Sequence, residues 1–160
     1  MKKSAQGKGQ NPLLAQNKKA FVDYEILEKI EAGIILSGPE VKSARAGQVN
    51  LKGSFVEVTD RLEAFTRNIH ISPYKQAASQ QLGYDPTRRR KLLLNKKEIL
   101  ALKSRLDTEG MTCVPLDFHM SRNHIKITIG VCRGKKKYDR RAELKKKAQT
   151  LEIKRALKRY

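Results

Sequence analysis

Apolar and polar positions begin to alternate at Ala20: Val22, Tyr24 and Ile26 interleave with Asp23, Glu25 and Leu27, the period of a strand with one face on a core. Glu31-Ala32-Gly33 reads as a turn, and Ile34, Ile35 and Leu36 as a short second strand that stops at Ser37-Gly38. Pro39 suits a first helical position and Gly47 a helix stop, which predicts a short helix over Glu40 to Ala46. Gly53 to Thr59 and Leu62 to Ile71 alternate about a turn at Asp60-Arg61 and predict a hairpin, whereas Ser72 to Gln81 is polar and reads as a loop. The loop leads to Asp85-Pro86-Thr87, a run of four cations from Arg88 to Lys91, and an abrupt change to Leu92, Leu93 and Leu94. Asn95 then reads as an N-cap, with Glu98 three residues on and Leu94 placed to pack on Ile99. Ile99, Leu102 and Leu106 share one face of the helix so begun, which Gly110 ends. A final hairpin runs from Thr112 to Met120 and from His124 to Cys132 through Ser121-Arg122-Asn123, with Ile125, Ile127, Ile129 and Val131 on one side.

These elements predict a mainly β protein. About six short strands hide their edges best by closing, so the expected fold is a small closed antiparallel barrel of the oligonucleotide-binding (OB) type with two or three helices. An open sheet with both helices on one face is the alternative. The barrel spans residues 20–132. Residues 1–19 read as a basic arm whose first sixteen hold too few apolar residues to offset ordering entropy, and which is expected to be mobile. Residues 133–160 read as a basic tail of helix-favouring residues. On a helical wheel Leu144, Ala148 and Leu151 share a face while Ile153, Ala156, Leu157 and Tyr160 lie opposite. A helix packed on its own barrel keeps one apolar face, so this tail is expected to be unfolded when free and helical against an external surface.

Charge adds the partner. The chain has 160 residues, a formal charge of +19 and a pI near 10.2. Residues 1–19 carry a net +5, residues 20–132 a net +4 and residues 133–160 a net +10. A nearly balanced body between two basic ends suits a globular module with nucleic-acid-binding extensions. No stretch approaches the ~20 apolar residues of a membrane span, and the first residues show no apolar signal core, so a cytoplasmic protein is expected. Cys113 and Cys132 lack the spacing of metal or disulfide frameworks and read as buried or incidental thiols. His70, His119 and His124 have no ligand at metal spacing, and no phosphate-binding glycine loop occurs, so neither catalysis nor a metal or cofactor is expected.

A binding constellation remains: Asn17, Lys18, Lys19, Lys42, Arg45, Arg88, Arg89, Arg90, Lys91, Asn95 and the cations from Arg133 to Arg141, all suited to phosphate. Glu31 is the odd member, a carboxylate on a basic surface that either caps local backbone or accepts from a base edge. With no Trp and few other aromatics, a folded RNA read by shape fits better than stacked single strands.

The segments NKKAFVDYEILEKIEAGIILSGPEVKSARAGQVNLKGSF, DPTRRRKLLLNKKE and GVCRGKKKYDRRAELKKK, in that order, resemble the bacterial SsrA-binding protein (small protein B) family over nearly the whole chain. The resemblance implies an OB-type barrel without catalytic activity. It further implies binding to the tRNA-like domain of transfer-messenger RNA (tmRNA) and delivery of that RNA to stalled ribosomes for trans-translation, which tags nascent peptides. By motif, Glu31, Leu93 and Asn95 match positions the family uses on tmRNA, supported by Asn17, Lys18 and neighbouring cations. Gly134, Lys135, Lys136, Asp139, Arg140, Arg141, Lys145 and Lys146 match the start of a tail used on the ribosome, at the decoding centre and in the empty mRNA channel. Ala156-Leu157 takes the place of an apolar pair near its end. Val22 stands where some members have His, so a role assigned to that His does not carry over.

Overall fold

The structure, a computed structural model, describes residues 12–158. In chain order the elements are β1 (Leu13–Gln16), α1 (Lys18–Asp23), β2 (Tyr24–Ile34), α2 (Gly38–Arg45), β3 (Val49–Asn50), β4 (Phe55–Val58), β5 (Ala64–Arg67) and β6 (His70–Ile71). A 3₁₀ helix (Lys75–Gln81) comes next, then β7 (Arg90–Leu93), α3 (Lys96–Leu106), β8 (Met111–Ser121), β9 (His124–Gly134) and α4 (Lys137–Leu157). Seven strands form one antiparallel sheet in the order β1-β8-β9-β2-β7-β5-β4, and β3 pairs with β6 as a separate ribbon. The architecture is therefore mixed α and β. The expected barrel closure is corrected at the level of hydrogen bonding: among the described residues no ladder joins edge strands β1 and β4, although the sheet curls enough for β4 to pack against β8.

The main core lies inside the curl, where Ala32, Ile34, Val56, Leu92, Phe118, Ile127 and Ile129 meet Leu102 from α3. On the outer face, at the far end of the β8–β9 hairpin, a second small cluster of Val114, Leu116 and Cys132 is roofed by Ala20 of α1. Gly130 makes room there, since a Cβ at that position would come within 2.9 Å of the Leu116 side chain. The hairpin itself turns on Arg122 and Asn123 alone, both at positive φ (48° and 69°), as a two-residue primed turn requires.

Four sequence expectations change. Val22 lies in α1, because buried Asn17 caps a helix by accepting from Ala20 N–H, and the strand starts at Tyr24. Glu31-Ala32-Gly33 is strand rather than turn; Gly33 is where β2 passes from β9 to β7, paired with Lys126 on one side and Leu93 on the other. The second half of the predicted hairpin breaks at Asn68 (φ 60°), and His70-Ile71 beyond the break pair with β3 instead, as β6. The mobile arm is corrected for Leu13 to Gln16, which add a strand to β8, while residues 1–11 lie outside the described part. α2 and α3 form where expected, each with its capping box.

One buried carboxylate ties these elements together. Glu40 of α2, 1% exposed, accepts from Ser37 N–H (2.9 Å), from Arg88 Nε (2.8 Å), from Arg90 Nε and Nη2 (2.9 and 2.8 Å) and from the Tyr84 hydroxyl (3.1 Å). Burial pushes its pKa up, but the hydrogen bonds from Arg88 and Ser37 and the charge of Arg90 outweigh it and bring the group from 4.5 to about 2. A carboxyl lowered in this way stabilises the fold fully above its unfolded value, and that contribution is lost as pH falls toward the folded one. Wild type should therefore lose about 3 kcal/mol more than a Glu40→Gln variant between about pH 5 and pH 2, at ~1.4 kcal/mol per pH unit. Urea unfolding of both proteins across that range measures it, and parallel acid profiles would remove Glu40 from this role.

Candidate nucleic-acid interface

Strand alternation divides the Arg88 to Lys91 run between two faces. Arg90 is fully buried and Arg88 half-buried, both turned to Glu40. Arg90 spends its remaining donors on backbone, giving Nη1 to Ile69 O (2.8 Å) and Nη2 to Pro86 O (2.9 Å). Its expected role as a phosphate contact is thus corrected, because a guanidinium enclosed by a carboxylate and carbonyls has no donor to offer. Asn17 is corrected on the same ground: its amide donates to Leu51 O (3.2 Å) and Pro115 O (3.0 Å) inside the protein. Arg89 and Lys91 take the outer face. Arg89 lies over the Phe65 ring at 3.6 Å and pairs with Glu57, and Lys91 pairs with Glu63.

Leu93, two residues beyond Lys91, shares that outer face and is 56% exposed. Its side chain lies over Gly33, where a Cβ would meet Leu93 Cβ at 3.2 Å, so glycine lets β7 and β2 close up beneath an apolar platform. Glu31 sits two residues from Gly33 on the same face of β2. Its carboxylate is held on both oxygens, Oε1 by Lys126 Nζ at 2.9 Å and Oε2 by His119 Nε2 at 3.0 Å. The Lys126 hydrogen bond holds its pKa below the ordinary value against partial desolvation, with His119 adding to the effect. One acceptor site on each oxygen is used, and a carboxylate has about four. The exposed edge of Glu31 is therefore a fixed double acceptor beside an apolar side chain.

Sheet register extends the site. Leu93, Gly33, Lys126, His119 and Leu13 are successive partners across β7, β2, β9, β8 and β1, so one row carries two exposed leucines around a charged centre. Asn95 is exposed just past β7, where the capping box with Glu98 (2.9 Å to Asn95 N–H) fixes the strand-to-helix corner. Lys18 and Lys19 are exposed on α1. Lys42 and Arg45 lie on α2, the first over the Tyr74 ring (5.3 Å) and the second near Asn123 at the hairpin turn, so they flank the row rather than join it.

His119, Asp117 and Lys126 were not among the sequence candidates. A hairpin turning on Arg122-Asn123 would have made His119 and Lys126 cross-strand partners, but nothing local announces that Glu31, 88 residues away, closes the group. Among the described residues no cluster suited to a metal ion occurs. Both cysteines are buried, and burial pushes the Cys132 thiol up to about 11.

The tail leaves the body through Gly134. Lys135 N–H donates to Asp23 O (3.0 Å), the Lys135 ammonium reaches Glu143 (2.5 Å), and Arg140 folds back on Lys135 O. From there α4 buries none of its residues, and Leu144, Leu151, Ile153 and Leu157 are all at least half exposed. Its helicity is continuous to Leu157, over residues of both apolar faces that the wheel separated, while Tyr160 lies outside the described residues.

Comparison with known proteins decides the family. The SmpB protein family model matches residues 14–159. The chain belongs to the SmpB family. An SsrA-binding protein of Sulfurihydrogenibium sp. is 50% identical over 146 residues, 91% of this chain and 94% of that one. Its counterpart in Anoxybacillus flavithermus is 48% identical over 151 residues, 94% and 96% of the two chains. A solved structure described as "tmRNA-SmpB: a journey to the center of the bacterial ribosome" superposes with a TM-score of 0.65 at 43% identity, covering 79% of this chain and 86% of that one.

Two neighbouring arginines of this SmpB family member should thus behave in opposite ways. Arg90→Ala removes one of the two guanidinium partners of buried Glu40 and should cost about 3–5 kcal/mol of stability. Arg89→Ala loses a surface stack worth about 1 kcal/mol, and should lower RNA affinity in a fold that stays intact. Asn17→Ala should resemble the first, at about 2 kcal/mol, because two buried carbonyls lose their donor. Denaturation midpoints and RNA titrations on the three proteins test the division.

Proposed function

We propose that the outer face of β7, β2, β9 and β8 is the surface on which this protein receives the tRNA-like domain of tmRNA, and that α4 is the part it presents to the ribosome. Membership of the SmpB family makes it a non-enzymatic, tmRNA-binding protein of trans-translation. The observation that carries the finer reading is the Glu31 carboxylate, fixed on both oxygens and exposed on the same face as Leu93. Phosphate attraction needs no such group, whereas a base amino group or a ribose hydroxyl needs an acceptor at a fixed place. Arg89, Lys91, Lys18, Lys19, Lys42 and Arg45 supply the non-specific attraction around it, and Asn95 holds the corner that presents Leu93. The curl that brings β4 onto β8 supports an OB-type barrel closed by packing rather than by a ladder. No helix of the described residues is long and apolar enough to cross a membrane, consistent with action on ribosomes in the cytoplasm.

Glu31→Ala tests the specific contact. The protein gains a unit of positive charge, so Coulomb attraction alone would tighten binding; loss of the acceptor should weaken tmRNA binding about tenfold instead, the equivalent of ~1.4 kcal/mol. Binding as tight as wild type would leave Glu31 as a surface ion pair. The cationic surround is read separately: with ~6 phosphates engaged, wild-type affinity should fall by about three decades between 50 and 200 mM salt.

The tail reading predicts a separation of functions. A chain ending at Gly134 keeps every strand and α1 to α3, so tmRNA binding should persist, weakened only by lost non-specific attraction. Tagging of nascent peptides on stalled ribosomes should collapse. Leu157→Asp is the sharper variant: Leu157 is 72% exposed on the isolated protein, so stability should hold, yet docking against the ribosome would lose ~2 kcal/mol of apolar burial. If tmRNA affinity and tagging fall together, the tail belongs to the tmRNA surface; if neither falls, α4 is only a charged extension. Circular dichroism of the same variants decides whether residues 133–160 are helical without the ribosome or fold on it.

A further inference from the structure

We propose that His119 is the positioning residue for the RNA-facing carboxylate: held at one ring nitrogen by Asp117, it fixes Glu31 with the other, and only its charged form can do both. The inference rests on the reading of Glu31 as the tmRNA acceptor. His119 is buried (7% exposed), with Nδ1 2.8 Å from Asp117 Oδ1 and Nε2 3.0 Å from Glu31 Oε2. A carboxylate only accepts, and imidazole donates from both nitrogens only as imidazolium. The groups facing the ring are Asp117 from its own strand, Glu31 from β2, Lys126 from β9 and the apolar Leu13 from β1. Two carboxylates and two cations thus close a neutral group across three strands.

The partners of Glu31 differ in what they fix. Lys126 is a flexible ammonium, half in solvent, that can follow the carboxylate wherever it turns. His119 is a buried ring pinned by Asp117 two residues away on the same strand, so Nε2 has one place to be. Loss of the proton leaves a lone pair on one nitrogen facing a carboxylate oxygen. The shorter Asp117 contact keeps the remaining N–H, and Glu31 Oε2 then meets a lone pair and swings free on Lys126. A positively charged ring therefore holds the acceptor in place, and a neutral ring releases it.

The test is a double-mutant cycle on the full chain with full-length tmRNA as ligand. Glu31→Ala and His119→Ala should each weaken binding about tenfold, and the double variant should be no weaker than either, because His119 acts only through Glu31. His119→Gln, which keeps one donor directed at Glu31, should recover part of the loss. Between about pH 5 and pH 8, the range over which histidines change charge, the affinity ratio of wild type to Glu31→Ala should fall as pH rises. The ratio of His119→Ala to the double variant should stay flat. A merely structural histidine would move stability without this pattern. If Glu31→Ala weakens binding while His119→Ala does not, or if the two losses add, the positioning role is wrong and the Glu31 reading stands. If Glu31→Ala has no effect, both fall. Should His119→Ala fail to fold, ¹⁵N NMR of the imidazole decides: Glu31→Ala should move the Nε2 signal and leave Nδ1 on Asp117, whereas identical spectra would overturn the proposal.

Discussion

The Glu40 carboxylate is the point on which the rest of the molecule turns. A fully buried anion is tolerable only when every acceptor site is met, and here a helix N-terminus, two guanidinium groups and a phenol converge on it. These donors come from separate parts of the chain, so the group clamps α2, the Tyr84 to Arg88 loop and β7 into one arrangement. Arg90 is the reciprocal case, a buried cation whose donors end on Glu40, on the Tyr84 hydroxyl or on carbonyls of Ile69, Pro86 and Arg88. Removing Glu40 strands Arg90, and removing Arg90 leaves Glu40 to Arg88 alone among the cations, which makes the pair a device for fixing geometry more than a source of net stability.

That geometry decides which side chains reach the outer face proposed for RNA. With Arg90 and Leu92 anchored inward, period-2 alternation leaves Arg89, Lys91 and Leu93 no choice but the outer face. A slip of one residue would exchange the sets, burying Lys91 and Leu93 and exposing the clamp. The register of β7 is thus specified by an interior ion pair, and the interface inherits it. Gly33 and the Asn95 corner then set how closely Leu93 approaches Glu31, so the specific part of the surface is built by backbone constraints while the attractive part is charge alone.

Much of this was legible in the chain. Both capped helices, the last hairpin and the β4–β5 hairpin arise from local chemistry, as does the concentration of charge at the ends. What was not legible depended on partners distant in sequence. Glu40 reads as one more acid in a short helix until Arg88 and Arg90 arrive nearly fifty residues later. Ala32-Gly33 has the composition of a turn, and only the approach of Leu93 shows that the glycine serves a close contact. The run of cations from Arg88 to Lys91 looked uniform because composition carries no facing information. Asn17 likewise gave no sign that its amide was reserved for Leu51 and Pro115.

A basic surface attracts any RNA, and adding cations raises affinity for the wrong ones as much as for the right one. Discrimination needs a group that is unfavourable unless correctly matched. An exposed carboxylate meets that requirement, since phosphates repel it and only a donor at the right place compensates. It works only if it cannot turn away from a poor match, and Lys126 alone would let it. On the proposed reading the buried end of the group therefore matters more than its exposed end: Asp117 holds His119, His119 holds Glu31, and the penalty against a wrong RNA is enforced from inside the sheet.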